Sequence, residues 1–163
     1  PGRWMRWLKA LLGVTLLGTA IWLVSIIGVQ TGLLNAGGGA ERLSWRTFDE
    51  SAVAAEVAAG RSVFVDVTAD WCLTCQANKK LVLDQDPVAA RLQGAGIIAM
   101  KADWTNPDPV IAAFLERHGR YGIPFNIVYG PAAPEGIPLP ELLTDADVLA
   151  ALDQAGARPN AQQ

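Results

Sequence analysis

From Ala10 to Val29 the chain runs for 20 residues without a charged side chain. At about 1.5 Å per residue, a helix over that run is roughly 30 Å long, the thickness of a bilayer's hydrocarbon core. Its polar members, Thr15, Thr19 and Ser25, can bond back to their own helix. Trp4 and Trp7 flank it where an aromatic belt would sit. Arg3, Arg6 and Lys9 precede the run, and no basic residue follows it until Arg42. The positive-inside rule then predicts a cytoplasmic N-terminal end and puts everything after Val29 outside. A secretory signal peptide is the competing reading. Its apolar region would be unusually long, and Leu34-Asn35-Ala36 makes a poor cleavage site. The first residue is Pro1 rather than Met, which points to a piece of a longer protein.

The 163 residues suffice for one domain of ordinary size and an appendage. The net charge of −3 hides an asymmetry: the first nine residues carry +3, and 10 basic residues face 16 acidic ones in the remainder. A mildly acidic domain has no electrostatic footprint for nucleic acid. No Gly-rich phosphate loop follows a strand, so nucleotide binding lacks support. An outside location is oxidising, and dithiols there need a dedicated supply of electrons to stay reduced.

Cys72 and Cys75 are the only cysteines. They follow the apolar, β-branched run ending in Val65-Asp66-Val67 and precede a helix-like stretch. A bridge over so short a loop removes little entropy from the unfolded chain, so thiol chemistry explains the pair better than a stabilising staple. A cysteine at a helix N-terminus faces unpaired N–H groups that favour thiolate. Cys72 is therefore the expected attacking sulfur, and Cys75, one turn in, the resolving one.

Residues 1–29 read as a membrane helix with a basic flank, 30–43 as a flexible linker, 44–156 as a folded domain and 157–163 as a frayed tail. Within the domain Asp49 caps a helix through Ala59, ended by Gly60. Strands are expected over Ser62–Val67, Ile97–Lys101 and Phe125–Tyr129. A helix runs from the cysteines through about Leu83. Asp86 is read as the N-cap of a helix with Pro87 in its first turn, reaching Leu92. Another helix spans Asn106–Arg117. Residues Gly130–Pro140 form a loop with a short or irregular strand, and Thr144-Asp145-Ala146-Asp147, which resembles a capping box with Asp in place of the usual Glu, starts a last helix to about Ala155. Strands alternating with helices argue an α/β domain.

The order strand, Trp71-Cys72-x-x-Cys75, helix, strand, helix, Gly122-Ile123-Pro124, strand, helix resembles a thioredoxin-like fold: a central mixed sheet flanked by helices, here preceded by one transmembrane helix. Thr68-Ala69-Asp70-Trp71-Cys72-Leu73-Thr74-Cys75 and Lys101-Ala102-Asp103-Trp104-Thr105 resemble the C-terminal domain of the DsbD family of thiol:disulfide interchange proteins, and Leu73-Thr74 its copper-tolerance-associated branch. The resemblance implies a buried carboxylate at Asp66 beneath the disulfide; burial would raise its pKa, and it could take the proton from Cys75. It also implies a cis peptide before Pro124, against the base rate of about 5–6% for such bonds. The Ile123 backbone is then left to pair with an extended partner segment, alongside Trp71 and Pro124. Lys79 departs from the family, which often carries Glu there; a cation would favour thiolate, and a solvated helix face is the plain alternative. His118, the only histidine, leaves a zinc ligand set short.

The implied function is a thiol-disulfide oxidoreductase, the periplasmic domain of an inner-membrane electron relay. It would pass reducing equivalents from a membrane core to the N-terminal periplasmic domain of the same or a partner protein, or to oxidised periplasmic proteins. No cofactor beyond the Cys72–Cys75 disulfide is implied. One alternative is a stand-alone, membrane-tethered reductase of the cytochrome c maturation type. The other is a copper-binding module, since soft thiolates suit copper(I).

Overall fold

The computed structural model describes residues 2–30 and 43–156, and the chain divides into two units, Pro1–Ala40 and Glu41–Gln163. Most of the expected linker and all of the expected tail lie outside the described residues.

In the first unit, helix α1 spans Arg3–Gln30. Its window Trp7–Val24 has a mean hydropathy of 1.7 and none of it is buried, so the helix is long and apolar enough to cross a membrane. Thr15 Oγ1 donates to the carbonyls of Leu11 (3.1 Å) and Leu12 (2.9 Å), and Thr19 Oγ1 to that of Thr15 (2.9 Å). The two hydroxyls are thereby satisfied inside their own helix.

The second unit is built on a five-stranded sheet in the order β1-β3-β2-β4-β5. The strands are β1 Arg46–Thr47, β2 Ser62–Thr68, β3 Ile97–Asp103, β4 Phe125–Gly130 and β5 Ala133–Pro138. β2 is central, parallel to β3 and antiparallel to β4. Residues Ser62–Val67 are buried, which is why the segment reads as a nearly continuous apolar run rather than an alternating one. Strand alternation still sorts the side chains. Val63, Val65 and Val67 join one core cluster with Ile111, Phe114 and Leu115 of helix α5 (Pro109–Arg117). Phe64 joins the other, with Leu83, Leu92 and Leu152. Full burial of such a side chain contributes about 2–3 kcal/mol. Asp66, two residues on from Phe64, lies on this second face.

The second face is covered by helices α4 (Val88–Leu92) and α6 (Asp145–Gln154), which add Val88, Leu92, Val148 and Leu152 to that cluster, while α3 (Leu73–Asn78) adds Cys75 to the cysteine site. Helix α2 (Glu50–Ala58) lies on the first face, through Val53. Asp49 caps α2 by accepting from the Ser51 N–H at 2.9 Å, and Gly60 follows at φ +80°. Thr144 and Asp147 close a capping box at α6. Leu43, at the end of the expected linker, is buried in the core.

Four elements differ from expectation. The helix after the cysteines changes pitch: α3 ends at Asn78 and a π-helical turn covers Lys79–Leu83, bringing Val82 and Leu83 together onto the buried side. The Asp86–Pro87 peptide is cis, and Pro87, not Asp86, holds the N-cap position of α4 without any side-chain cap. Helix α5 begins at Pro109 rather than Asn106, because Asp108 accepts from the N–H groups of Val110 (2.7 Å) and Ile111 (3.3 Å) and so sets the start. The two-residue edge strand β1, unexpected from sequence, pairs with Met100 and Lys101, whereas β5 is the irregular strand expected within Gly130–Pro140, paired with β4 through a register shift between Val128 and Gly130.

Candidate active site

β2 carries the chain to Thr68, at the end of the central strand, and the next turn delivers both cysteines. Cys72 occupies the N-cap of α3 in an extended conformation, and its Sγ accepts from the Cys75 backbone N–H at 3.2 Å. The cap that Ser or Asp usually provides is here provided by sulfur. A disulfide joins Cys72 to Cys75, with Cα atoms 5.3 Å apart. Both residues are buried and pack with Ala69, and Ile123 lies against them. The Ile123–Pro124 peptide is cis. The residues that flank Cys72 in sequence, Trp71 and Leu73, are exposed at 61% and 81%, apolar surface that solvent does not favour.

The approach to the cysteines is braced from the end of β3. The Asp70 N–H donates to Thr105 Oγ1 (3.0 Å), and Trp71 Nε1 donates to the Thr105 carbonyl (3.3 Å). Thr105 in turn donates its hydroxyl (2.5 Å) and its backbone N–H (3.0 Å) to Asp103 Oδ1. The hydroxyl bond is the main reason the Asp103 carboxyl titrates below its ordinary range. On the inner side of α3, buried Asn78 donates to the Glu141 carbonyl (2.7 Å) and accepts from the Leu143 N–H (3.2 Å). These bonds tie the helix that carries Cys75 to the segment leading into α6.

Asp66 is buried on the second face of β2, in register with Lys101 on β3 and Asn126 on β4. Asn126 Nδ2 donates to Asp66 Oδ1 at 2.8 Å. Burial dominates the carboxyl and pushes its pKa up to about 6. The Asn126 hydrogen bond and the charges of Lys101 and Lys79 pull the other way, and Asp84 adds a small upward push.

His118 stands apart from this centre, at the end of α5. Its ring packs against Phe114 and Phe125, and its Nε2 lies 2.9 Å from the Tyr129 hydroxyl. Burial, then the nearby Arg117, lower its pKa. Among the described residues no three His, Cys, Asp or Glu side chains gather where they could hold a metal ion.

Sequence reasoning did not single out Asn126, Asn78 or the Asp103–Thr105 brace as site residues. Asn126 had a readable signal: a polar residue inside the apolar run Phe125–Tyr129, of the same kind that drew attention to Asp66. Asn78 had none, because one amide on a helix carries no mark of its distant partners.

A family model described as Thioredoxin-like matches residues 44–131. Thiol:disulfide interchange protein DsbD 1 of Pseudomonas aeruginosa is 29% identical over 107 residues, which are 66% of this chain and 17% of that protein. Thiol:disulfide interchange protein DsbD of Ralstonia nicotianae is 34% identical over 80 residues, 49% of this chain and 13% of that protein. The matched region is thus a small part of the curated relatives. Among solved structures, the oxidised C-terminal domain of Neisseria meningitidis DsbD matches with a TM-score of 0.52 at 21% identity, covering 69% of this chain and 99% of that one. A thioredoxin from Thermus thermophilus matches with a TM-score of 0.53 at 24% identity, covering 71% and 89%. Both share the fold.

Proposed function

Because the chain belongs to the thioredoxin-like family, we propose that it is a thiol-disulfide oxidoreductase, the outer domain of a relay that carries electrons across a bacterial inner membrane. The observation that carries this reading is the Cys72–Cys75 disulfide at the end of the central strand, with the buried carboxyl of Asp66 on the same strand. The similarity to DsbD proteins and the apolar helix α1 support the membrane setting.

In the proposed cycle a dithiol of a membrane core reduces the Cys72–Cys75 disulfide. The Cys72 thiolate then attacks an oxidised partner, and one partner sulfur leaves with the electron pair of the broken bond. Cys75 attacks Cys72 Sγ, re-forms the disulfide and releases the second partner sulfur. Two electrons have moved. Asp66 takes the proton that Cys75 must lose and gives it up afterwards to water or the departing thiolate. Trp71, Ile123 and Pro124 form the surface that meets the partner, with main-chain groups at Ile123 pairing to an extended segment. The partners are the N-terminal periplasmic domain of the same or another protein and oxidised periplasmic proteins. The domain needs no separate cofactor, because the disulfide is the redox centre.

Thiol trapping in intact cells tests the relay. The cysteines are expected to be substantially reduced when the membrane core is present and largely oxidised when the outer domain is expressed alone in the same compartment. Equal oxidation states would rule out delivery through the membrane. An impermeant reagent that failed to reach the thiols once the outer barrier was opened would overturn the orientation.

A further inference from the structure

Asn126 is 1% exposed, yet its amide carbonyl Oδ1 has no hydrogen-bond partner, while its Nδ2 is committed to Asp66. A buried amide with one end used and the other idle is costly in a packed interior. We propose that Asn126 is a positioning residue for the Asp66 proton acceptor, one that stays hydrogen-bonded to that side chain in both protonation states by turning its amide. The proposal rests on the proton-acceptor reading of Asp66 given above.

The donor and acceptor inventory of the pocket carries the argument. The charged groups acting on Asp66 are Lys101 from β3, Lys79 from the π-helical turn and Asp84 just after it, with Asn126 facing it from β4. A carboxylate only accepts, so any donor suits it, but a carboxylic acid offers an O–H that needs an acceptor. An ammonium has no acceptor, so the two lysines support the ionised state alone. An amide has both ends. With Nδ2 toward Asp66 it holds the carboxylate; turned about, it offers Oδ1 to the acid proton. In the orientation seen Oδ1 is the idle end, so turning the amide breaks no hydrogen bond at that oxygen, and the proton on Asp66 supplies it with a donor. A fixed backbone donor in the same place would resist protonation. Asn126 lets Asp66 take up a proton from Cys75 and pass it on without losing its neighbour in β4.

The test uses the full chain in detergent micelles, with the carboxyl of Asp66 and the side-chain amide of Asn126 followed by NMR across pH. The Asn126 amide signals should move with the same midpoint as the Asp66 carboxyl. In Asn126→Leu, which keeps the bulk and removes both polar ends, that midpoint should rise by about one unit, since a donor to the charged form has been lost. The pH profile of reduction by dithiothreitol should move with it. An amide signal that stays constant through the Asp66 titration overturns the proposal, whether or not the leucine variant folds. An unmoved midpoint in a folded Asn126→Leu does the same. Asp66→Asn separates the two readings. If it leaves the exchange profile unchanged, the proton-acceptor role of Asp66 is wrong, whereas a lost pH dependence there with a constant Asn126 signal defeats the role of Asn126 alone.

Discussion

The backbone N–H of Cys75 points at Sγ of Cys72 across 3.2 Å, so the first cysteine of the pair caps the helix that carries the second. A donor held against a sulfur favours its thiolate, and the asymmetry is built in: Cys72 precedes the helix, whereas Cys75 lies inside it on the buried side. Alkylation of the reduced protein near neutral pH, followed by peptide mapping, should therefore label Cys72 in preference to Cys75. Cys75→Ala should accumulate a mixed disulfide with a partner, because nothing remains to resolve it, and Cys72→Ala should trap far less. Dominant labelling of Cys75 would reverse the assignment.

Asp66 should make stability depend on pH. Its pKa is raised from 3.8 to about 6 by burial, so ionising it costs more in the folded than in the unfolded protein. The favourable contribution is complete below pH 4, falls between pH 4 and 6, and is gone above. Asp66→Asn, a neutral amide of the same shape, should flatten that slope and raise stability at pH 8 by about 1–3 kcal/mol. Denaturant unfolding at pH 4, 6 and 8 measures it. The same variant should slow disulfide exchange at neutral pH by about 10²-fold, the ordinary contribution of a positioned base. A more stable yet slower protein is the signature of a functional buried acid.

Thr105 links β3 to the turn before the cysteines through Asp70, Trp71 and Asp103. Thr105→Val keeps the shape and removes the hydroxyl bonds to Asp70 and Asp103. It should destabilise the domain by about 1–2 kcal/mol. The Asp103 carboxyl, held low chiefly by that hydroxyl, should titrate higher in the variant. Native Asp103 adds stability that is present above its unfolded pKa and lost as pH falls through the folded one, so the loss in Thr105→Val should shrink in acid. Denaturant unfolding across pH measures the stability effect, and an NMR titration of the Asp103 carboxyl the other.

Gly130 closes β4 where the chain passes the end of α6. A Cβ at this position would drive into the carbonyl of Ala155, which is backbone and cannot swing aside. Gly130→Ala should cost about 2 kcal/mol or more, the range of overpacking in a core, and should lower the thermal midpoint without touching the cysteines' reactivity. A variant as stable as the parent would mean that α6 yields easily.

Much of this protein was written locally. The charge-free run, the strands expected over Ser62–Val67, Ile97–Lys101 and Phe125–Tyr129, the caps at Asp49 and Thr144 and the Cys72–Cys75 spacing each report on residues a few positions apart, where side-chain period and capping chemistry act directly. The family likeness added Asp66 and Ile123-Pro124 as places to look. Tertiary structure alone decided the rest. Arg46–Thr47 is a strand only because β3 offers it an edge, and two residues carry no period of their own. Asp108 took over the start of α5 from Asn106, and Pro87 displaced Asp86 at α4, where neighbouring residues compete and packing picks one. The Asp66–Asn126 bond joins residues 60 positions apart. A polar side chain inside an apolar strand announces that it needs a partner, but only the register of β2 against β4 names which one, because that register is set by the whole core at once.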